Sequence, residues 1–228
     1  MYNLCMIKAT KDKILKYYNS LELFGYEYTS PLKLEVSDEN HFDLPQNLTS
    51  LQSLVENCNL CEYSKYRVQT LFSQGNPSSK VMFIDDTPSI LDEISGKILV
   101  GKSGELLIKM IENVLMINHK ELYFTNIIKC KTALKKIPTH GEISSCKPYI
   151  QKEIEIINPK LIVVLGESTY EYFTNDKTSI ELARGKVIQY GGIDLIPIYH
   201  PSYLLRNPSA KKEAFHDMLK IKSIMEKM

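Results

Sequence analysis

Four cysteines form the clearest pattern of chemically active residues in this sequence. Cys58 and Cys61 make a C-x2-C pair, and Cys130 and Cys146 follow much later, on either side of a basic segment. Four thiolates that meet at one point suit either a zinc ion or an iron–sulfur cluster. The competing interpretation is four unrelated core cysteines, because free cysteine is often buried. The C-x2-C pair alone does not separate these interpretations.

Polar side chains follow three apolar runs that have the character of buried strands. Asp85 and Asp86 come directly after the run at 81–84, Asn126 follows the run at 121–125, and His200 follows a third. Taken singly, Asn126 suits a turn and His200 suits a capping or core position. Their common place at the ends of strands favours one shared site.

The elements that must position these residues alternate between strands and helices. The pattern predicts strands at 81–84, 121–125, 161–166, 186–190 and 194–199, and helices at 48–57, from 103, at 142–157, 167–173 and 209–227. Such alternation predicts an α/β fold with a mostly parallel sheet covered by helices on both faces. Ligands of these sheets bind outside the carboxyl ends of the strands. The loops at 85–102, 125–141 and 199–206 are therefore the expected site.

Composition and length place the chain among ordinary globular proteins. The 228 residues are 43% hydrophobic and 24% charged, and no apolar run has the length of a membrane span. The first residues lack the apolar stretch of a signal peptide, so we expect a cytoplasmic protein whose clustered cysteines bind metal. A helix-like stripe at 11–24 and an irregular acidic stretch at 26–47 predict an N-terminal appendage at 1–47, ahead of one domain at 48–228. Cys5 is expected to be a structural or free thiol.

The net charge of +1 does not by itself indicate a nucleic-acid ligand. A local basic patch is sufficient to engage phosphates, and Lys129, Lys131, Lys135 and Lys136 offer one. On charge alone, a solvated loop is the better interpretation of this segment.

Several motifs together resemble the iron–sulfur uracil-DNA glycosylases, the family 4 branch of that superfamily. They are the C-x2-C pair with Arg67 after it, VGKSGELL at 100–107, YFTNIIKCK at 123–131, Cys146-Lys-Pro, NPKLIVVLG at 158–166, Arg184-Gly185, and YHPSYLLRNP at 199–208. The resemblance covers residues 50–220 and depends on several motifs in order, which makes it specific. It implies the three-layer α/β/α sandwich of uracil-DNA glycosylases and selects a [4Fe–4S] cluster, mainly structural, as the group held by the four cysteines.

The resemblance also implies a function and assigns residues to it. The family flips uracil, or a related deaminated base, out of single- or double-stranded DNA and hydrolyses its N-glycosidic bond. Asn126 then reads the Watson–Crick edge of the base, and His200 stabilises the negative charge that develops on uracil O2. Asp86, in the position of a family glutamate, orients water or balances charge on the sugar. The expected base-binding positions are Asp85, Asp86, Leu99, Asn126 and His200. The expected DNA contacts are Lys102, Lys131, Ser202, Leu204, Leu205 and Arg206.

The first active-site segment departs from the family pattern. Where the family has Gly-Glu-Ala/Gly-Pro-Gly, this chain has Asp85-Asp86-Thr87-Pro88-Ser89, and the lost glycines normally permit close approach of the backbone to a ligand. Leu99 replaces a stacking aromatic side chain, whose contact with a base contributes about 1–3 kcal/mol. The segment lacks the histidine-bearing insert of the branch that bonds covalently to uracil.

Three functional hypotheses follow from these observations. The retained Asn126 and His200 favour an active, monomeric DNA glycosylase. The altered first segment favours a non-catalytic or repurposed DNA-binding member with a structural cluster. A metal-stabilised α/β protein with another ligand is the third.

Overall fold

The structure, a computed structural model, describes residues 44–131 and 138–228. The predicted helix at 11–24, most of the predicted appendage at 1–47, Cys5, Lys135 and Lys136 lie outside these residues.

A six-stranded sheet forms the centre of the domain. Its strands are β1 (Ser73–Gly75), β2 (Val81–Asp85), β3 (Tyr123–Asn126), β4 (Leu161–Leu165), β5 (Ile188–Tyr190) and β6 (Ile193–Ile198). The spatial order is β1-β3-β2-β4-β6-β5. The inner strands β3, β2, β4 and β6 run parallel, and the edge strands β1 and β5 pair antiparallel to them. Four parallel strands therefore end at the same edge of the sheet.

Helices connect the strands. They are α1 (Leu48–Glu56), α2 (Ile90–Ser95), α3 (Lys102–Met110), α4 (His140–Ile157), α5 (Gly166–Thr174), α6 (Ile180–Ala183), α7 (Pro201–Arg206) and α8 (Lys211–Met225). A π-helical turn at Ile111–Leu115 extends α3, and short 3-10 turns lie at Glu62–Lys65, His119–Glu121 and Pro208–Ala210. Among the described residues, no helix combines the length and apolar character needed to cross a membrane.

Alternate apolar residues of the four parallel strands enter two separate cores. In β2, Met82 and Ile84 pack in one core against α4 and α5, whereas Val81 and Phe83 pack in the other against α3 and α8. Because successive side chains of a strand point to opposite faces, an apolar run with both faces covered must lie in the middle layer. The predicted α/β fold, with helices on both faces of a mostly parallel sheet, is confirmed.

Two short helices occupy segments predicted as loops. Ser89 is the N-cap residue of helix α2, and its side chain forms a reciprocal capping box with that of Asp92. His200 is the N-cap residue of helix α7 and accepts from the N–H of Ser202 through its ring, and Pro201 takes the first helical position. These capping residues are visible in the sequence, but both helices are too short to show a hydrophobic period. Strand β1 and helix α6 were also not predicted.

Candidate active site

A cavity of about 370 Å³ opens at the carboxyl edge of the sheet. The ends of all four parallel strands contribute to its wall: Asp85 from β2, Asn126 from β3, Leu165 from β4, and His200 just after β6. The predicted loops 85–102, 125–141 and 199–206 all supply lining residues. The cavity therefore lies where ligands of parallel α/β sheets bind.

The structure brings the predicted base-binding residues together. Asp85, Asp86, Leu99, Asn126 and His200 all line the cavity. Of the predicted DNA-contacting residues, Lys131 and Ser202 line it as well. Lys102 and Arg206 are exposed on α3 and α7 outside it.

Asn126 presents an unpaired donor to this cavity. It is the last residue of β3, in register with Asp85 of β2, and it is only 1% exposed. Its amide nitrogen Nδ2 is buried and has no hydrogen-bond partner among the described residues. Leaving a buried donor unpaired costs about 1–3 kcal/mol, so this N–H group is available to an acceptor that a ligand would bring.

His200 is held by contacts to both of its ring nitrogens. Nδ1 accepts from the backbone N–H of Ser202 at 3.0 Å, and the Ser202 hydroxyl lies 2.6 Å from the same nitrogen. Because Nδ1 accepts, the neutral ring carries its proton on Nε2, which donates to Oδ2 of Asp85 at 3.1 Å. The site thus fixes both the orientation of the ring and its donor atom.

Gly166 makes room for this histidine. A Cβ added to Gly166 would lie 3.0 Å from Cβ of His200, and the glycine has a φ of +82°. Both the close approach and the left-handed backbone require glycine at the end of LIVVLG.

Two carboxyl groups shape the electrostatics of the cavity. Burial lowers the pKa of His200, but the negative charges of Asp85 and Asp86 outweigh it, so the pKa is raised. The pKa of Asp86 is also raised, first by burial and then by Asp85, although His200 and hydrogen bonds from Thr87 oppose this shift. Oδ1 of Asp86 accepts from the N–H of Thr87 at 2.5 Å and lies 3.3 Å from its hydroxyl.

Leu99 occupies the cavity wall in an unusual conformation. Its φ of 67° lies in the left-handed region, which is rare for a branched side chain. A Cβ added to Gly104 would lie 2.1 Å from the carbonyl oxygen of Leu99. Gly104, in the VGKSGELL segment, therefore lets the first turn of α3 pack directly on this backbone.

The predicted DNA contact of Leu204 is not compatible with the structure. Leu204 is fully buried and packs with Tyr199 and Ala214, whereas Leu205 is 41% exposed. The helical conformation of α7 explains this difference, because successive helical residues point in different directions. Leu205 is the leucine of YHPSYLLR that is available to a ligand.

Lys129, predicted as part of a basic patch, is also buried. It is 1% exposed and forms an ion pair with Glu153 of α4, itself 0% exposed. Its ammonium also donates to the hydroxyl of Thr125 and to the carbonyl oxygen of Phe72 at 3.1 Å. Lys129 therefore ties the segment before Cys130 to α4, and it does not supply a phosphate contact.

Arg184, of the Arg184-Gly185 motif, contacts the residue that precedes His200 in the chain. Arg184 donates to Oδ2 of Asp217 at 2.7 Å, and its guanidinium lies 5.1 Å from the ring centre of Tyr199. Since Tyr199 precedes His200 in the chain, this contact braces the end of β6. The sequence showed the motif but gave no sign of its partner on α8.

The four cysteines form no disulfide, and their charges affect one another's pKa. Cys130 and Cys146 are buried, and Cys58 and Cys61 are partly buried. Burial raises the pKa of Cys146 to about 12, and the charges of the other three thiols add to this shift. Burial raises the pKa of Cys130 to about 11, although Arg67, which donates to its sulfur at 3.4 Å, opposes the shift.

The donor chemistry around these sulfurs fits a thiolate-bound group. Burial raises the pKa of Cys61 and of Cys146, but backbone hydrogen bonds from Tyr63 and Ser64 oppose the rise at Cys61, and one from Lys129 opposes it at Cys146. In the described part of the chain, however, no three His, Cys, Asp or Glu side chains are grouped so that they could hold a metal ion.

Together the fold and the cavity define an α/β protein with a polar ligand site at the carboxyl edge of a parallel sheet. Residues 72–220 match the family described as the uracil DNA glycosylase superfamily. The chain belongs to this superfamily, which confirms the family that the motifs resemble.

Type-4 uracil-DNA glycosylases are among the similar proteins. The protein of Sulfurisphaera tokodaii is 31% identical over 186 residues, covering 78% of this chain and 84% of that protein. The protein of Saccharolobus solfataricus is 32% identical over 187 residues, covering 78% and 87%. That of Thermotoga maritima is 33% identical over 177 residues, covering 76% and 92%.

Proposed function

We propose that this protein is a DNA repair enzyme that excises uracil, or a related deaminated base, by hydrolysing its N-glycosidic bond. The observation that carries the proposal is the buried, unpaired amide nitrogen of Asn126, a residue of the cavity wall. An extrahelical uracil offers carbonyl acceptors and an N–H donor, which an asparagine amide complements. Relatives named type-4 uracil-DNA glycosylases support the same reaction.

His200 supplies the electrostatic part of the proposed reaction. With its Nδ1 occupied by Ser202, it offers an Nε2–H donor on the cavity side. We expect this donor to stabilise the negative charge on uracil O2 as the bond to the sugar breaks. Asp86 lines the same cavity, where its carboxyl group would balance positive charge on the sugar.

The surface around the cavity supports binding of DNA. Lys102 and Arg206 are exposed, Lys131 lines the cavity, and Leu205 is 41% exposed on α7. We propose that the basic side chains contact phosphates and that Leu205, with Ser202, fills the space left by the flipped base.

We also propose that Cys58, Cys61, Cys130 and Cys146 hold a [4Fe–4S] cluster. Four cysteine thiolates are the usual ligands of such a cluster, and the Coulombic effect of Cys58, Cys61 and Cys130 on the pKa of Cys146 supports their proximity. When bound, the cluster would cross-link the segment after α1, the segment after β3, and α4. A brown protein absorbing at about 400 nm is the expected result. Stoichiometric zinc in colourless, anaerobically purified protein would refute it.

The organisation of the molecule follows from the same proposal. We propose a monomer with its glycosylase domain at 48–228. Clustered cysteines that bind a metal group are typical of a reducing compartment, and we propose the cytoplasm.

A cleavage assay tests the proposed reaction. Single- and double-stranded oligonucleotides containing uracil, hypoxanthine or xanthine are incubated with the protein, and abasic sites are then cleaved by alkali. We expect product with uracil or one of the other bases. A protein with an intact cofactor that binds these oligonucleotides but yields no abasic product would instead be the non-catalytic DNA-binding member.

A further inference from the structure

Asp85 stands where the family pattern has glycine, and the structure gives it specific contacts. Its Oδ2 lies 3.1 Å from Nε2 of His200, and its Oδ1 accepts from the N–H of Asp86 at 2.8 Å. The side chain is 23% exposed and lines the cavity. This carboxyl group is therefore held in place and open to the ligand space.

Asp86, the neighbouring carboxyl group, is held by a different contact. Its Oδ1 is already engaged by the N–H and hydroxyl of Thr87. Burial and the neighbouring Asp85 raise the pKa of Asp86. Oδ2 of Asp85, by contrast, is bonded to the Nε2–H of His200, the donor that an incoming uracil would recruit, so entry of the base frees this oxygen to accept from a water molecule.

We propose that Asp85 is the general base of this enzyme, a role that rests on the glycosylase function proposed above. In the free protein Oδ2 accepts the Nε2–H of His200. When uracil enters, its O2 accepts that N–H, and Oδ2 of Asp85 becomes free to accept a hydrogen bond from a water molecule. The contact between the two side chains thus keeps both groups oriented until the base arrives.

The proposed step is balanced in atoms and electrons. The bond from C1′ of the sugar to N1 of uracil breaks, and its electron pair moves into the base, where the Nε2–H of His200 stabilises it. The water oxygen bonds to C1′ while Asp85 takes one of its protons. That proton then passes to the departing uracil anion, directly or through solvent, so that the products are uracil and an abasic site.

A general base at Asp85 and a side chain that only fills space there predict opposite changes in excision rate. If the carboxyl group only crowds the cavity, Asp85→Gly, which restores the family residue, should accelerate excision. If Asp85 is the base, the same change should slow it. Asp85→Asn provides the matched test, because the amide oxygen still accepts from His200 but cannot accept a proton.

The experiment compares the native protein with Asp85→Gly and Asp85→Asn. Single-turnover excision is measured on a uracil oligonucleotide, and binding is measured on the same sequence carrying 2′-fluoro-2′-deoxyuridine, which resists cleavage. We expect both variants to lose about 10²-fold or more in rate, with binding unchanged. Formate should restore part of the rate of Asp85→Gly but not of Asp85→Asn, whose side chain fills the space. Asp194→Asn, near the start of β6 at the opposite edge of the sheet, is the control, and melting curves verify folding.

The outcomes separate this inference from the proposed function. A native protein that excises uracil while Asp85→Gly or Asp85→Asn is equally fast or faster overturns the role of Asp85 and leaves the glycosylase function in place. Equal losses of rate and binding in folded Asp85→Asn would also overturn it. A native protein without activity on any deaminated base overturns the proposed function, and the inference with it.

Discussion

Replacing Asn126 by leucine should make the protein more stable and nearly inactive. The Nδ2 atom is buried without a partner among the described residues, so the folded protein loses the hydration of this donor and gains no bond. Leucine has the same branching, and the adjacent cavity accommodates its additional volume. Removing an unsatisfied donor should stabilise the fold by about 1–3 kcal/mol. For a domain of this size, each 1 kcal/mol raises Tm by about 2–4 °C.

The same substitution should abolish recognition of the base. Uracil would enter a pocket where its carbonyl and N–H groups find no partners, and sites that lose such a pairing discriminate by about 10⁴-fold. Single-turnover excision and thermal melting of Asn126→Leu are the two measurements. Asn113→Leu, an exposed position in the π-helical turn, is the matched control and should change neither activity nor stability appreciably. A variant that melts below the parent and still excises uracil would refute the assignment of Asn126 as a preorganised, unpaired donor.

Three further perturbations test how the site is supported. Gly166→Ala should lower both stability and excision, because the new Cβ would lie 3.0 Å from that of His200 at a φ of +82°; normal melting with full activity would contradict this. Glu153→Gln should cost about 3–5 kcal/mol in denaturant melts, since it leaves the ammonium of Lys129 buried without its counter-charge, whereas the double change Glu153→Leu with Lys129→Met should cost less. Finally, the pKa of His200 is raised in the folded protein. Its protonation therefore contributes fully to the free energy of unfolding at pH values below the ordinary histidine pKa of about 6.5. That contribution is lost as the pH rises through the pKa of the folded state. His200→Gln should flatten that decline in urea melts across neutral pH, and an unchanged slope would show that another group titrates.

The sequence was informative wherever a local signal was strong. Apolar runs such as LIVVLG indicated buried strands, and polar residues directly after them indicated the cavity edge, where Asp85, Asn126 and His200 do line one cavity. Parallel strands force this convergence, because their carboxyl ends share one edge of the sheet. The ordered motifs indicated the superfamily to which the chain belongs.

The sequence was misleading where side-chain direction or a distant partner decided the outcome. The sequence placed Lys129 in a basic surface patch, but in the structure its side chain is buried in an ion pair with Glu153 of α4. Leu204 and Leu205 look equivalent in YHPSYLLR, yet the helical turn of α7 buries the first and exposes the second. From the sequence, Asp85 looked like a side chain that would crowd the ligand. Its hydrogen bond to His200 could not be foreseen, because the two residues lie far apart in the chain.

The four cysteines illustrate what the sequence determines and what only the tertiary structure determines. Their spacing, read with the neighbouring motifs, was enough to identify the resemblance and its expected cofactor. The tertiary structure decided which thiols are buried, that Arg67 donates to Cys130, and that Lys129 anchors the chain beside that cysteine. Local patterns determine strands, caps and motifs because those depend on nearby residues. Burial, pairing and the unpaired amide of Asn126 depend on contacts between distant segments, so only the folded chain fixes them.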